Sequence, residues 1–274
     1  MLKYIIILRR DMQNKKATSN LYDTLFKKNK KIKNQKGGGA GFTAPSISSM
    51  LELINNRKEF LVKVFAILIV QLIVTYATMI YYPVEKKTDQ GEGESQNKKN
   101  KPSKPSMVII YAAVVQFILI CVIAFFPMPM YLKFVLFTLF SIAMGVTFAF
   151  IKTSTSLQAV NTAIFGAMSI FAMMFLLGLY LLASGVKLGI GFGLFLWFSL
   201  LILILVSIVL MFLRTYSAAS KLLAGISLLI FSLYVIYDTN TILQKDYFGD
   251  FITAAIDYYL DIINIVLDLI RLER

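Results

Sequence analysis

The chain has 274 residues, of which 58% are hydrophobic and only 16% are charged, and its mean hydropathy is +0.71. Soluble globular domains are usually about half apolar and about a quarter charged, so this composition does not fit an ordinary soluble enzyme. The chain lacks histidine and has a single cysteine, which excludes His-based catalytic triads, imidazole metal sites, internal disulfides and thiolate zinc cages. No motif supports an enzyme class, and the composition predicts a polytopic membrane protein.

The N-terminal part of the chain is polar and basic. Up to and including Lys63 it carries fourteen Lys and Arg against four acidic residues, within a net charge of +13. Because these residues lack the apolar content of a core, we predict a disordered cytosolic tail over residues 1–56, with a short interfacial helix between Ser46 and Phe60. The tail runs directly into a hydrophobic segment. Its charge is therefore interpreted as a topology signal and as contact with anionic lipid, not as nucleic-acid binding.

Seven hydrophobic segments follow, each about 20 residues or longer, which is enough to cross a bilayer core as a helix. They cover residues 60–82, 107–126, 131–151, 157–183, 188–213, 221–243 and 251–270. Every proline lies in the tail or between these segments, as expected when helix interiors must satisfy every backbone group. The sequence therefore predicts an all-α membrane protein, with a seven-transmembrane helical bundle over residues 57–274.

The orientation of this integral multi-pass protein follows from the tail. An excess of Lys and Arg directly before the first segment holds the N-terminus in the cytosol. With seven full crossings the C-terminus would lie on the opposite side of the membrane. The last segment is polar, however, and the alternative is a re-entrant segment that returns the C-terminus to the cytosol.

Two features of the segments concern packing. Gln71, Thr75 and Thr78 share one face of the first segment, which must turn toward the bundle interior, either to form interhelical hydrogen bonds or to line a polar pathway. A second feature is a glycine cluster, interpreted as close helix packing or a turn between segments, at Gly185, Gly189, Gly191 and Gly193.

The last two segments contain the most informative polar residues. Asp238 follows a long apolar run, and Asp257, Asp261, Asn264 and Asp268 share one face of the final segment. An ionised Asp at mid-bilayer costs on the order of 2.5–3.5 kcal/mol, so these side chains cannot face lipid. They are interpreted as an ionisable stripe that lines the bundle interior; the alternative is an amphipathic helix in the membrane interface. From the hairpin connection, either Asp257 or Asp261 could face Asp238, and the chain geometry slightly favours Asp257.

Two stretches of the chain resemble the transmembrane Bax-inhibitor-motif family, which includes Bax inhibitor, lifeguard and bacterial homologues. In the more specific C-terminal stretch, Tyr237–Leu243 reads YDTNTIL where the family has YDTQ-x-I, and Tyr259–Asn264 reads YLDIIN as the family does, after the pair Ala254-Ala255. The first segment supports the resemblance independently through Arg57, Phe60, Lys63-Val64-Phe65, Leu68, Gln71-Leu72 and Thr75. The resemblance covers about residues 57–271.

The resemblance implies a fold in which six helices surround a central C-terminal helix. It also implies a di-aspartyl pair that acts as a pH-sensitive latch on a calcium leak, and this pair falls on Asp238 and Asp261, where the chain geometry had favoured Asp257. The same two carboxylates are the expected weak calcium ligands. A secondary polar path is expected at Asn264, Asp257, Asp268, Gln71 and Thr75.

Two positions depart from the family pattern. Members often have an acidic residue just after the fourth segment, where this chain reads Gly185-Val186-Lys187-Leu188. Some have a basic residue in the second segment, and about Val108 to Phe126 contains none.

The function that the resemblance implies is a pH-sensitive passive calcium leak channel of an endomembrane (ER or Golgi), which lowers stored calcium and inhibits cell death. We expect no cofactor, with calcium as the transported ion, and as partners the lipid bilayer, calcium and cell-death regulatory proteins, but no nucleic acid. One alternative is a non-conducting membrane scaffold that regulates apoptosis through protein partners, and another is a proton-coupled exchanger. Calcium flux in liposomes containing only this protein distinguishes them.

Overall fold

The computed structural model of the protein describes residues 45–84, 107–213, 218–244 and 249–273. Residues 1–44 of the predicted tail, most of the loop after Pro83, and residues 245–248 of the last hairpin lie outside the described residues. The described ranges contain eight helices and no strand. They are α1 Ile47–Asn56, α2 Lys58–Tyr81, α3 Met107–Phe125, α4 Met130–Ser154, α5 Leu157–Ala183, α6 Ile190–Leu213, α7 Ala218–Gln244 and α8 Phe251–Glu273.

All seven predicted hydrophobic segments are helices, α2 to α8, with ends within a few residues of the predicted ones. Within the described residues, five of them are long and apolar enough to cross a membrane, and α3 contributes a shorter apolar stretch over Tyr111–Phe125. The five are Lys58–Tyr81, Met130–Ser154, Leu157–Ala183, Ile190–Leu210 and Ala218–Gln244. The helical class and the helix positions are therefore confirmed, while the count of seven crossings and the central position of the last helix stay predictions.

Large apolar side chains remain exposed along these helices. Phe165 is 74% exposed, Ile202 61% and Leu222 68%, and the same holds for many other side chains of α2 to α7. Soluble monomers rarely expose contiguous apolar patches above a few hundred Å², because water penalises them, whereas a bilayer solvates them. The chain is an integral multi-pass membrane protein.

The ends of the helices follow from local chemistry. Ser46 caps α1, with its hydroxyl accepting from the Ser49 amide at 3.3 Å, so the part of the tail from Ile47 to Asn56 is helical, as the interfacial-helix prediction anticipated. Its position at a membrane surface stays a prediction. The end of α5 is a C-terminal cap in which Gly185 adopts a φ of 85°. This conformation suits glycine because it has no Cβ, and the Val186 amide then bonds Leu181 O at 2.9 Å.

The described residues divide into two compact units. One consists of Val62–Ser169 with the C-terminal residues from Asp250, and here α4 packs against both α3 and α8. The other consists of the residues before Val62 with Ile170–Gly249, and here α6 packs against α7. Close packing at the glycine cluster is confirmed at Gly193 alone, where a Cβ would lie 2.5 Å from the Tyr237 hydroxyl.

Candidate functional site

The ionisable stripe predicted for the last segment lies on α8. Asp257, Asp261 and Asp268 are buried, with 3%, 0% and 1% exposure, and Asn264 is partly buried. Ile252–Tyr259 are all buried, whereas Leu260, Asn264 and Leu267 are partly exposed along one face that leads to the exposed Arg271. The three carboxylates are therefore buried, and the central position of α8 in the bundle stays a prediction.

The carboxylate of the sixth segment is equally buried. Asp238 is 2% exposed and lies within a continuous run of buried residues on α7, from Tyr234 to Leu243. Asp238 belongs to one compact unit and Asp261 to the other. Their pairing as a latch, and their part in binding calcium, stay predictions.

Two polar residues predicted for a secondary path join a network of hydroxyl and amide groups between α2, α4 and α8. The Gln71 side-chain amide donates to the Thr138 hydroxyl at 3.0 Å. The Thr75 hydroxyl lies 3.2 Å from the Ser141 carbonyl oxygen and 2.5 Å from the Tyr259 hydroxyl. Both Gln71 and Thr75 are buried, at 0% and 5% exposure, which confirms that their face turns inward. The interhelical hydrogen bonds are those that the packing interpretation expected, and a conducting role stays a prediction.

Tyr259 is one of three members of this network, with Thr138 and Ser141, that sequence analysis did not single out as site residues. Its ring packs edge-on against Phe137 and Phe140, with centroids 5.2 Å and 5.9 Å apart. The adjacent Tyr258 stacks on Phe65 of α2 at 6.0 Å. For Tyr259, the available signal in the sequence was its position directly before Leu260-Asp261. This position places the tyrosine about half a turn from a buried carboxylate on the same helix. The two tyrosines thus fix α8 against α2 and α4.

The N-terminus of α8 is held by an ion pair that the sequence did not reveal. The ammonium of Lys133 donates to Asp250 Oδ2 at 2.5 Å and to the Thr253 hydroxyl at 3.2 Å. Asp250 also caps the helix, accepting from the Thr253 amide at 3.0 Å. Burial raises the pKa of Asp250, but the hydrogen bond and charge of Lys133, with the bonds from Thr253, outweigh it and hold this pKa below the ordinary value. Asp250 is therefore an anion at neutral pH.

At the C-terminal end of the stripe, two side chains one turn apart form an ion pair. Arg271 Nη1 donates to Asp268 Oδ1 at 3.3 Å, and the arginine side chain is 54% exposed while the aspartate is buried. Asn264 uses its amide to bond the Leu260 carbonyl oxygen at 2.6 Å. Among the described residues, no three His, Cys, Asp or Glu side chains come together as a metal cluster. The arrangement thus places three buried carboxylates, Asp257, Asp261 and Asp268, along one helix.

The loop between α5 and α6 is held by a side chain next to the sixth-segment carboxylate. Asn240 accepts from the Leu188 amide at 2.8 Å and donates to the Val186 carbonyl oxygen at 3.0 Å. The Gln244 amide also donates to Asn240. Asn240 occupies the position where the family pattern has Gln. In this chain the shorter amide binds the backbone of the loop that departs from that pattern.

Comparisons with known proteins agree with the motifs. Residues 57–272 match the family described as "Inhibitor of apoptosis-promoting Bax1". A BI1-like protein of Arabidopsis thaliana is 25% identical over 167 residues, which is 61% of this chain and 65% of that relative. Protein LIFEGUARD 1 and Protein LIFEGUARD 4 of the same plant are 36% and 29% identical over 78 and 82 residues, which are 28% and 30% of this chain. Each of these two matches spans 33% of the relative, so the chain covers less than two thirds of all three.

Proposed function

The chain belongs to the Bax-inhibitor family, as its motifs predicted, and we propose that it is a passive, pH-sensitive calcium leak channel that lowers stored calcium in an endomembrane and thereby inhibits cell death. The observation that carries this proposal is the burial of Asp238, Asp257, Asp261 and Asp268 in the last two helices. Carboxylates inside a membrane are costly and mark ion or proton pathways more often than structural positions.

Calcium is the ion that this set of groups suits. Ca²⁺ prefers six to eight oxygen ligands, which carboxylates, side-chain amides and water supply. Asp238, Asp261 and Asn264 cannot provide such a cage alone, so the ion keeps much of its hydration. Weak, partly hydrated contact is what conduction requires, because an ion that is held tightly does not leave the pathway.

The proposed gate is the pair Asp238 and Asp261. Two carboxylates in a low-dielectric interior cannot both ionise without a large cost, so in this proposal they share one proton at low pH. The shared proton holds α7 and α8 together and closes the pathway. As pH rises the proton leaves and the anions repel, so calcium leak increases. The stripe contains two other ionisable groups, Asp257 and Asp268. Asp268 lies one turn from Arg271.

The test is calcium flux from liposomes that contain only this protein, measured between about pH 5 and 8. Asp261→Asn keeps the volume and a hydrogen-bonding group but removes the ionisation, so its flux should lose the pH dependence, whether the channel is locked open or shut. Asp257→Asn is the matched control on the same face of α8 and should keep the wild-type response. A steep pH response in the Asp261→Asn protein would rule out the latch.

The same liposomes separate the alternatives. Absence of flux at every pH in folded wild-type protein would favour a non-conducting scaffold that acts through cell-death regulatory proteins. Calcium transport against its own gradient, driven by an imposed proton gradient, would favour an exchanger. A passive leak dissipates both gradients and drives neither.

A further inference from the structure

An apolar cleft opens on the unit that contains most of α2, the first part of α5, and α8. Its volume is about 480 Å³, within the usual range of ligand pockets. The lining of α2 begins at Ile69 and ends at Tyr81, and Met168 of α5 and Val266 of α8 form part of the other walls. Several lining side chains are open to the surroundings; Ile73 is 61% exposed. The cleft is therefore accessible from the side of the helices.

The length of the cleft matches one leaflet of a bilayer. The residues from Ile69 to Tyr81 rise about 18 Å along a helix axis at 1.5 Å per residue. Half of a hydrocarbon core is about 15 Å thick. The cleft ends where α2 ends, at the level where a crossing helix leaves the hydrocarbon. An acyl chain of a single leaflet fits this length.

A polar recess follows at that end. Its volume is about 680 Å³, and it is formed where α2 and α4 end and α5 begins, with Tyr82 and Lys152 among its lining residues. On α4, Phe148 lines the cleft and Lys152, one turn later, lines the recess, so the two spaces are consecutive along that helix. Hydroxyl groups also line it, from Thr153, Ser154, Thr155 and Ser156.

Lys152 gives the recess its charge. Among the described residues that line it, this is the one charged side chain. The sequence contains no acidic residue from Ser95 to Tyr237, which includes the end of α4 and the start of α5, and the first acidic residue after α2 is Glu85. The ammonium donates to the Met79 carbonyl oxygen at 2.9 Å and, more weakly, to that of Ile80 at 3.5 Å, which fixes it at the end of α2. An ammonium has three donors, so a further N–H is available to an anion.

We propose that this unit binds one anionic phospholipid, with an acyl chain in the apolar cleft and the headgroup phosphate at Lys152 and the neighbouring hydroxyls. The argument is charge complementarity at the recess, combined with the leaflet-length apolar cleft that continues from it. A free anion would explain the recess but not the cleft, and an apolar peptide or a second copy of the chain would explain the cleft but not the cation. The lipid site does not depend on the proposed calcium leak.

The experiment is a titration of the purified, delipidated full chain in detergent, followed by native mass spectrometry. The probes are dioleoyl phosphatidylglycerol and the zwitterionic dioleoyl phosphatidylcholine. A lysine at the headgroup favours an anionic lipid by about fivefold in affinity, so the first phosphatidylglycerol should bind about fivefold more tightly than phosphatidylcholine. Excess inorganic phosphate alone should not displace it, because it lacks the acyl chain. Displacement by phosphate would reassign the recess to a free anion and overturn the proposal.

Two variants test the two halves of the site. Lys152→Gln keeps a donor for the Met79 carbonyl oxygen but removes the charge, so the preference for phosphatidylglycerol should fall to about one, whereas Lys221→Gln, at an exposed lysine of α7, should leave it unchanged. Ile73→Trp fills the cleft and should weaken both lipids. Its matched control is Ile202→Trp on α6, where the isoleucine has the same 61% exposure outside the cleft.

Each contrary result is decisive. An unchanged preference in Lys152→Gln, or equal binding by the two tryptophan variants, would overturn the proposal. If Ile73→Trp changes the oligomeric state in light scattering while lipid binding is unaffected, the cleft is a self-association face. Should Lys152→Gln fail to fold, Lys152→Arg retains the charge and must retain the preference, and the pair of tryptophan variants still decides the case.

Discussion

The ion pair between Lys133 and Asp250 joins α4 to the start of α8, and we expect its removal to destabilise the fold by a measurable and pH-dependent amount. The two side chains are 14% and 27% exposed, and their charged atoms lie 2.5 Å apart. Asp250 also accepts from the amide and the hydroxyl of Thr253, at 3.0 Å and 2.7 Å. One carboxylate thus serves as the helix cap and as the partner of a cation on another helix.

The magnitude follows from these two roles. Loss of a helix cap costs about 1 kcal/mol. An exposed ion pair contributes about 0.2–1 kcal/mol, and partial burial places this pair toward the upper end of that range. Asp250→Ala removes both and should cost about 2 kcal/mol, whereas Asp250→Asn keeps the cap and should cost about 1 kcal/mol. In a double-mutant cycle with Lys133→Gln, the coupling energy should be about 1 kcal/mol.

The sign of the pH dependence is set by the lowered pKa of Asp250. A carboxyl group whose pKa is lower in the folded than in the unfolded state adds stability above its unfolded pKa of about 3.9, and this stability is lost as pH falls through the folded value. The difference between the wild type and Asp250→Asn should therefore be constant from about pH 5 upward and shrink progressively in more acidic solution.

Unfolding in mixed detergent micelles, followed by far-UV circular dichroism at several pH values, measures these differences. Lys221→Gln is the control for removal of a lysine, because Lys221 is exposed and lies on α7. A coupling energy of zero between positions 133 and 250 would refute the clamp. So would an Asp250→Asn protein as stable as the wild type at neutral pH.

Two further predictions use matched pairs of substitutions. Gly145→Ala should destabilise the fold by about 1–3 kcal/mol in the same unfolding assay, because its Cβ would lie 2.5 Å from Thr78 Cβ. Gly225→Ala should be neutral or stabilising by up to about 1 kcal/mol, because its Cβ would meet no atom within 4 Å beyond the adjoining residues and backbone of its own helix. Equal effects of the two would contradict the close approach of α2 and α4. Asn240→Ala should accelerate hydrogen exchange of the Leu188 amide at least tenfold, because its acceptor is lost, whereas Thr241→Val on the same helix should leave that amide protected. Unchanged exchange in Asn240→Ala would show that the loop is held by other contacts.

The helices themselves could be predicted because their signal is local. A run of about 20 apolar residues bounded by proline or charged residues specifies a membrane helix without reference to the rest of the chain. The predicted segments 60–82 and 251–270 correspond to the helices Lys58–Tyr81 and Phe251–Glu273. The inward face of Gln71 and Thr75 was predictable for the same reason, since helical periodicity fixes which side chains share a face.

The contacts between helices could not be predicted, because their partners are far apart in the chain. Lys133 and Asp250 are separated by 117 positions, and Thr75 and Tyr259 by 184. No periodic pattern links such residues, and their meeting depends on the order in which helices pack. The binding of Asn240 to the backbone of the loop after α5 is of the same kind, since Asn240 accepts from the Leu188 amide, which lies 52 positions earlier in the chain.

The buried polar residues of α2, α7 and α8 can be divided by asking what stability alone would require. Hydroxyl and amide side chains such as Thr75 and Gln71 satisfy backbone or side-chain groups on neighbouring helices, so packing explains them. Carboxylates are different, because an asparagine of nearly equal volume would hydrogen-bond without the cost of a buried charge. Four carboxylates lie on α7 and α8 at 3% exposure or less. Under the proposed function they serve through their ionisation, and the comparison of Asp261→Asn with Asp257→Asn asks which of them provides it.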